Sequence, residues 1–526
     1  AANATGAHME TIRASIVNPA KLSRERQMDV CMQCHLETSS PHAPAEIRAY
    51  ERDMFSYRPG EALTDYKTFF ERVRVPKADD FQNAHAAYGL RKSACYLKTQ
   101  MTCLTCHNPH DVPHGEVAIK GYIATCDKCH AGVKHTVALP AQENCISCHM
   151  PKRRTQGAVH LILTDHYIQR RKPLGDLLAP ISEAVSSAVN MPVTYYYPAP
   201  KQPSAKQQLY LAIAQVDDGD GVHGLSHLVD LVGQQKPAAA EPYLEIARAY
   251  DRRGNHASAA EWYEQALQRR PDLLPAMREL PIALLGTGQT SSALDLLRKG
   301  VAAHPDDDVL LTELANASMR AGLLDEADTA LQRALQASPE RADAHNLQGL
   351  LHLRRNEQAA AEVSFREALR LQPRLMEAAS NLASLLTGRR QFEEAEFLYR
   401  QALRQDPKYA EAHHGLGLLL ILRGAVPASL PELKAAAQLE PRSATMHNDY
   451  GDALAAQGEV QAAATEYAAV LQLQPNQTDA QLGLAMALLK LGRRSEAGPL
   501  LAKVVGSGDP NLAPIAAQAL QASGSR

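Results

Sequence analysis

The chain has 526 residues, of which 45% are hydrophobic, 21% charged and 5% aromatic, with a formal net charge of −3. These figures exclude a wholly disordered or collagen-like chain, and the near-neutral charge argues against a dedicated nucleic-acid binder. The longest apolar runs, such as residues 416–422, fall short of the ~18–20 residues that a membrane-spanning helix needs. All 9 cysteines precede residue 150 and 12 of the 21 histidines precede residue 170. Soft and nitrogen ligands gathered into one third of the length mark a cofactor domain there. Charge follows the same division: residues 1–200 carry 23 Lys+Arg against 19 Asp+Glu, and the remainder 32 against 39.

The first residues, AANATGAHMETIRASIVNP, lack the basic, apolar and small-residue order of a secretory leader. The chain therefore reads as mature or trimmed, and Gly6-Ala7-His8-Met9 has the look of a tag remnant. Beyond it come four pentads of one pattern: Cys31-Met32-Gln33-Cys34-His35, Cys103-Leu104-Thr105-Cys106-His107, Cys126-Asp127-Lys128-Cys129-His130 and Cys145-Ile146-Ser147-Cys148-His149. Random order predicts roughly 0.006 such pentads in a chain of this composition, so the four are a signal. Cys-x-x-Cys-His is the attachment motif of c-type haem. Two thiols three residues apart reach the two vinyl groups of one porphyrin, and the following His is the proximal iron ligand. Two rivals share the cysteines. The spacing between pairs two and three and between pairs three and four fits a zinc ribbon, and the local cysteine density fits disulfides. Neither explains a His directly after every pair. Cys95 is left over and reads as a small buried side chain.

Three pentads lie between residues 103 and 149, which leaves no room for a conventional apolar core. Porphyrins are expected to be the core of that segment, with short helices and loops around them and haem edges close together. Each iron has a sixth position. The preferred candidates for it are His85, His110, His160 and His166, with His8 and His114 second. His85 leads into the second pentad; Pro109 turns His110 away from its own haem; His160 and His166 flank Leu161–Asp165. Asp165 is expected to orient a neighbouring ring by accepting its N–H. In the cysteine-free stretch 36–100, Phe55, Tyr57, Tyr66, Phe69, Phe70, Phe81 and Tyr88 read as packing against porphyrin faces. The sharper alternative is a substrate pocket at an open haem, with Arg58, Arg91 or a Tyr on an oxyanion.

Residues 173–204 hold six prolines and read as a linker or strap that Tyr195-Tyr196-Tyr197 pins to one domain. From there a 34-residue period takes over. Pro237, Pro271, Pro305, Pro339, Pro373, Pro407, Pro441 and Pro475 share one register. Gly254, Gly288, Gly322, Gly424, Gly458 and Gly492 form a second column, with Asn356 and Arg390 in its two gaps. A small residue follows five positions later, from Ala259 to Ala497, and a Tyr, Phe or Leu four beyond that, from Tyr263 to Leu501. The Gly ends a first helix in a left-handed conformation. The small residue lets paired helices approach, the large one fills the gap on the same face, and the Pro stops the second helix. This pattern resembles the tetratricopeptide repeat. It gives eight repeats over about 240–508, a degenerate unit before them and a closing helix at 511–523. Asp217-Asp218-Gly219-Asp220-Gly221 in the degenerate unit lacks the Glu of a calcium loop.

Taken whole, the chain resembles multihaem cytochromes c of the cytochrome c554 and pentahaem nitrite reductase superfamily, extended by a tetratricopeptide array. Cys-His-Asn-Pro-His at 106–110, Cys-His-Met-Pro-Lys at 148–152 and Thr164-Asp165-His166 carry that resemblance. Thr5-Gly6-Ala7-His8-Met9-Glu10 is similar to a family segment whose His ligates a haem. The family's nitrite reductases use a Lys-ligated catalytic haem, and this sequence holds no Cys-x-x-Cys-Lys.

The expected fold is all-α: a haem-packed domain with few regular elements over 1–172, the strap at 173–204, and an α-α superhelix over 205–526. The expected function is electron carriage through four covalent haems c, with the array docking a redox partner or joining subunits. One alternative is an oxidoreductase acting on a small nitrogen oxyanion or hydroxylamine-like substrate at an open haem. Another is the subunit of a cytochrome filament. Because covalent haem c is installed outside the bacterial cytoplasmic membrane, the resemblance implies a periplasmic or extracellular protein.

Overall fold

The computed structural model describes residues 17–35, 46–53, 56–72, 86–108, 111, 113–133, 144–155, 161–171, 173–180, 193–196, 199–200, 202–217 and 221–524. The chain forms two compact units, Ala1–Thr287 and Gly288–Arg526.

The first unit opens with short helices: Arg24–His35, Leu63–Tyr66, Ala86–Lys92, Ala94–Lys98, Gly115–His130 and Cys145–His149. Five brief strands lie among them, a feature that the all-α expectation omits. Strands β1 (Glu46–Arg48), β2 (Lys67–Arg72) and β5 (Val193–Tyr195) form an antiparallel sheet in the order β1-β2-β5. Strands β3 (Lys152–Arg154) and β4 (Ile162–Thr164) form a two-stranded ladder in which Lys152 faces Thr164. The Tyr195 end of the strap is thus a sheet strand, with Tyr195 opposite Phe70.

That sheet joins the cysteine-rich half to the first array helix, Ala205–Asp217, which packs on β2 and β5. Gln215 Nε2 donates to the Val193 carbonyl at 3.1 Å, and Tyr50 N–H donates to Tyr210 Oη at 3.1 Å. The rings of Tyr50 and Tyr210 meet edge to face at 5.0 Å. The join is thus a hydrogen-bonded seam with an aromatic contact. On the other side of the sheet Phe69 enters a buried cluster with Met28, Met32, Tyr57, Leu63, Tyr66, Leu90, Tyr96 and Tyr196. These aromatics pack on one another and on methionine, so part of this half has an ordinary apolar core.

The array follows as pairs of helices of 11–15 residues from Ala205 to Gly506, closed by Leu512–Gly524. Each column of the repeat acquires its reason in the backbone. The six glycines of the turn column have φ of 71–81°, and Asn356 and Arg390 sit at φ 63° and 62° in the two gaps. Every small residue of the next column, from Ala259 to Ala497, is fully buried, and every large one, from Tyr263 to Leu501, is at most 3% exposed.

Candidate functional site

A helical turn puts residues i, i+3 and i+4 on one face. The second, third and fourth pentads lie on such turns, so both thiols and the His of each share a face. Cys31 lies on the helix Arg24–His35, whose last two residues are Cys34 and His35; the side chains of those two lie outside the described residues. Cys103, with Leu104 and Thr105, forms a 3-10 turn that continues to Cys106 and His107, whose N–H donates to the Cys103 carbonyl at 2.9 Å. Cys126, Cys129 and His130 end the helix Gly115–His130. Cys145–His149 is itself a helix, and Asn144 caps it by accepting Ile146 and Ser147 N–H at 2.9 and 3.0 Å.

The pentads are strung as neighbours. The Cys31 and Cys103 thiols interact, which lowers the Cys31 thiol despite burial and, with burial, raises Cys103. The second pentad reaches the third through Tyr122, whose ring lies 5.4 Å from that of His107. The helix carrying the third pentad packs on Cys145–His149.

Three imidazoles have a partner at Nδ1, a carbonyl in two of them and a tyrosine hydroxyl in the third. His107 Nδ1 lies 3.4 Å from Tyr122 Oη, His149 Nδ1 lies 2.6 Å from the Gln169 carbonyl, and His166 Nδ1 lies 3.0 Å from the Thr164 carbonyl. A carbonyl accepts the Nδ1 proton and leaves the lone pair on Nε2, the tautomer of a metal-ligating His. The ring centroids of His107 and His166 lie 6.1 Å apart, with planes 34° apart. Asp165 does not orient the ring as expected. Its carboxylate pairs with Arg153 at 3.0 Å, both side chains nearly buried, and accepts Tyr167 N–H at 2.8 Å.

Little of this segment is buried. Within 103–149, Ala118 is the single buried residue among the described ones. The 16-residue helix Gly115–His130 exposes Val117 at 72% and Ile119 at 39%. Of the other candidate ligands, His114 precedes this helix as its N-cap without making a side-chain cap bond. His8, His85, His110 and His160 lie outside the described residues.

The rivals fare differently. Among the described residues no three His, Cys, Asp or Glu side chains gather as a metal-ligand set. The eight described cysteines form no disulfide. Cys95 is half-buried on the helix Ala94–Lys98. Arg58 is exposed, whereas Arg91 lies within the cysteine-rich half with Nη1 3.1 Å from Met32 Sδ, inside the first pentad. Sequence reasoning missed Gly89, Ser93, Tyr122 and Arg153. Only Gly89 left a signal, a glycine inside a helical run.

On the array, a groove of about 680 Å³ is lined by Asp217, Glu245, Arg248, Asp251, Arg252, His256, Tyr263, Glu279 and Ile282. Its charges are paired: Arg248 with Glu279 and Glu245, Arg252 with Asp217, His256 with Asp251. Burial raises Glu245 above the usual carboxylate range, against the pull of Arg248. Among the described residues no helix is long and apolar enough to cross a membrane.

This second part of the chain is an α-α repeat scaffold of the protein-interaction class. It is a tetratricopeptide array: profiles described as tetratricopeptide repeat match residues 284–351 and 454–523, and 211–273, 380–444 and 426–478. Among solved structures, pilF of Pseudomonas aeruginosa is similar over 41% of this chain and 96% of its own, at 18% identity and TM-score 0.38. A tetratricopeptide repeat protein from Parabacteroides merdae is similar over 47% of this chain and 98% of its own, at 19% identity and TM-score 0.37. A TPR protein of Thermus thermophilus is similar over 35% of this chain and 100% of its own, at 26% identity and TM-score 0.33. No curated protein matches the chain.

Proposed function

We propose that this protein is a multihaem c-type cytochrome that carries electrons, with a tetratricopeptide array that holds it against a protein partner or a second copy. The observation that carries the reading is the fourfold Cys-x-x-Cys-His pattern, supported by the closeness of the His107 ring, inside the second pentad, to that of His166 at 6.1 Å between centroids. Cys31 and Cys34, Cys103 and Cys106, Cys126 and Cys129, and Cys145 and Cys148 would hold four haems as thioethers. His35, His107, His130 and His149 would be the proximal ligands, and His166 the distal ligand at the second pentad. Covalent haem supplies a one-electron iron couple when bound. The residues of this chain do the rest. Carbonyls at Thr164 and Gln169 fix two imidazole tautomers, and the contact from His107 to Tyr122 keeps the second and third attachment sites adjacent. Histidine on both faces of an iron keeps it six-coordinate and suits electron transfer rather than bond chemistry. A periplasmic or extracellular site follows from where such haems are attached.

A second reading draws on Arg91. A guanidinium beside the first pentad is suited to holding a small nitrogen oxyanion at an open haem. Titrating the matured protein with nitrite, hydroxylamine and cyanide separates the two. The carrier predicts absorption spectra unchanged by all three; a saturable shift at one iron per chain would favour the enzyme.

A further inference from the structure

The backbone at His166 is gripped by a helix that no motif predicts. Ser93 is fully buried at the end of the helix Ala86–Lys92. Its hydroxyl proton is shared between the carbonyls of Gly89 at 3.2 Å and His166 at 3.3 Å, and its oxygen accepts Ile168 N–H at 2.8 Å. Gly89 faces the same segment. A Cβ on Gly89 would lie 2.8 Å from the Tyr167 nitrogen and 3.1 Å from the His166 carbonyl carbon. Both are backbone atoms, so the segment itself must move. Glycine inside a helix costs about 1 kcal/mol relative to alanine, and this close approach is what the cost serves. From the other side the buried Arg153–Asp165 pair fixes Tyr167 N–H.

We infer that Gly89 and Ser93 are positioning residues that set the depth of His166 opposite His107, and hence its bond to the iron of the second pentad. The inference rests on the haem reading above. A bond of about 2 Å to a ring nitrogen tolerates only a shift of a few tenths of an ångström, and a ligand held to within about 0.5 Å needs support of this kind. Gly89→Ala forces a larger displacement than that on the segment bearing His166.

The test compares full-length, haem-matured wild type, G89A, S93A and H166A by electron paramagnetic resonance, carbon monoxide binding to the reduced protein, and thermal unfolding. In G89A one iron per chain is expected to pass from low to high spin and to bind carbon monoxide, as in H166A. In S93A carbon monoxide binding at that iron is expected to be about fivefold faster, the weight of one or two ordinary hydrogen bonds. A purely structural role would lower the unfolding temperature of G89A and S93A with all irons low-spin and carbon monoxide excluded, and that result overturns the inference. If G89A does not fold, the S93A rate alone decides: an unchanged rate overturns the inference. An H166A protein with unchanged spin states refutes the pairing of His107 with His166, and the failure then belongs to the underlying reading.

Discussion

Tyr122 places its hydroxyl 3.4 Å from Nδ1 of His107, from a helix whose last turn carries the third haem-attachment pentad. The helix of the third pentad therefore supports the imidazole of the second, the proximal ligand in the proposed function. A hydrogen bond at Nδ1 raises the basicity of a ligating imidazole and favours the oxidised metal. Tyr122→Phe is expected to raise the midpoint potential of that haem by roughly 20–60 mV, the equivalent of one ordinary hydrogen bond, without a change of spin state. Spectroelectrochemical titration of the variant beside wild type measures it.

Gly415 lies under the ring of Tyr399, where a Cβ would fall 2.4 Å from two ring carbons. Tyr399 is 2% exposed and belongs to a cluster with Phe365, Leu386 and Leu416, so the ring has nowhere to retreat. Gly415→Ala is expected to destabilise the repeat array by about 1–3 kcal/mol, the usual cost of overpacking. Urea unfolding followed by far-ultraviolet circular dichroism gives the value.

Arg390 holds a left-handed turn at φ 62° where six sister repeats use glycine. That conformation costs a residue with a Cβ about 1–2 kcal/mol, partly offset by the greater chain entropy that glycine loses on folding. Arg390→Gly is expected to stabilise the array by about 0.5–1 kcal/mol. Asn356→Gly is expected to do less, because the Asn side chain tolerates the left-handed region. Urea midpoints of the two variants should differ in that order.

Arg298 holds the Glu326 carboxyl below its ordinary 4.5 by a direct hydrogen bond, and Arg366 does the same to Glu394 in a later repeat. With pKa depressed in the folded state, their contribution to stability is complete above the unfolded value and is lost as pH falls through the folded values. Acid unfolding of the array is therefore expected to steepen below about pH 4.5 and to be moderated by salt. Arg298→Gln with Arg366→Gln should flatten that slope while leaving the neutral-pH helical signal intact.

The repeat was legible because its constraints recur: a left-handed turn, a close helix approach and a helix stop each demand one residue type every 34 positions. The Asn and Arg in the gaps show the limit of such reading, since the same backbone is kept at some cost. The pentads were legible because their chemistry is local in sequence. The strands were not, because four of the five have only three residues and no hydrophobic period emerges at that length. The role of Asp165 was misread for a related reason. Its neighbour in sequence is His166, but its partners Arg153 and Tyr167 N–H are fixed by the β3–β4 ladder. Gly89 and Ser93 meet His166 from more than 70 residues away, a separation no local pattern encodes.

The most direct measurement is the haem content of the protein matured with a c-type haem attachment system, by pyridine haemochrome spectrum together with iron analysis and intact mass. Four covalently attached haems and four iron atoms per chain are expected, one for each pentad. A colourless protein with no Soret band, or one carrying stoichiometric zinc instead of iron, would contradict the account.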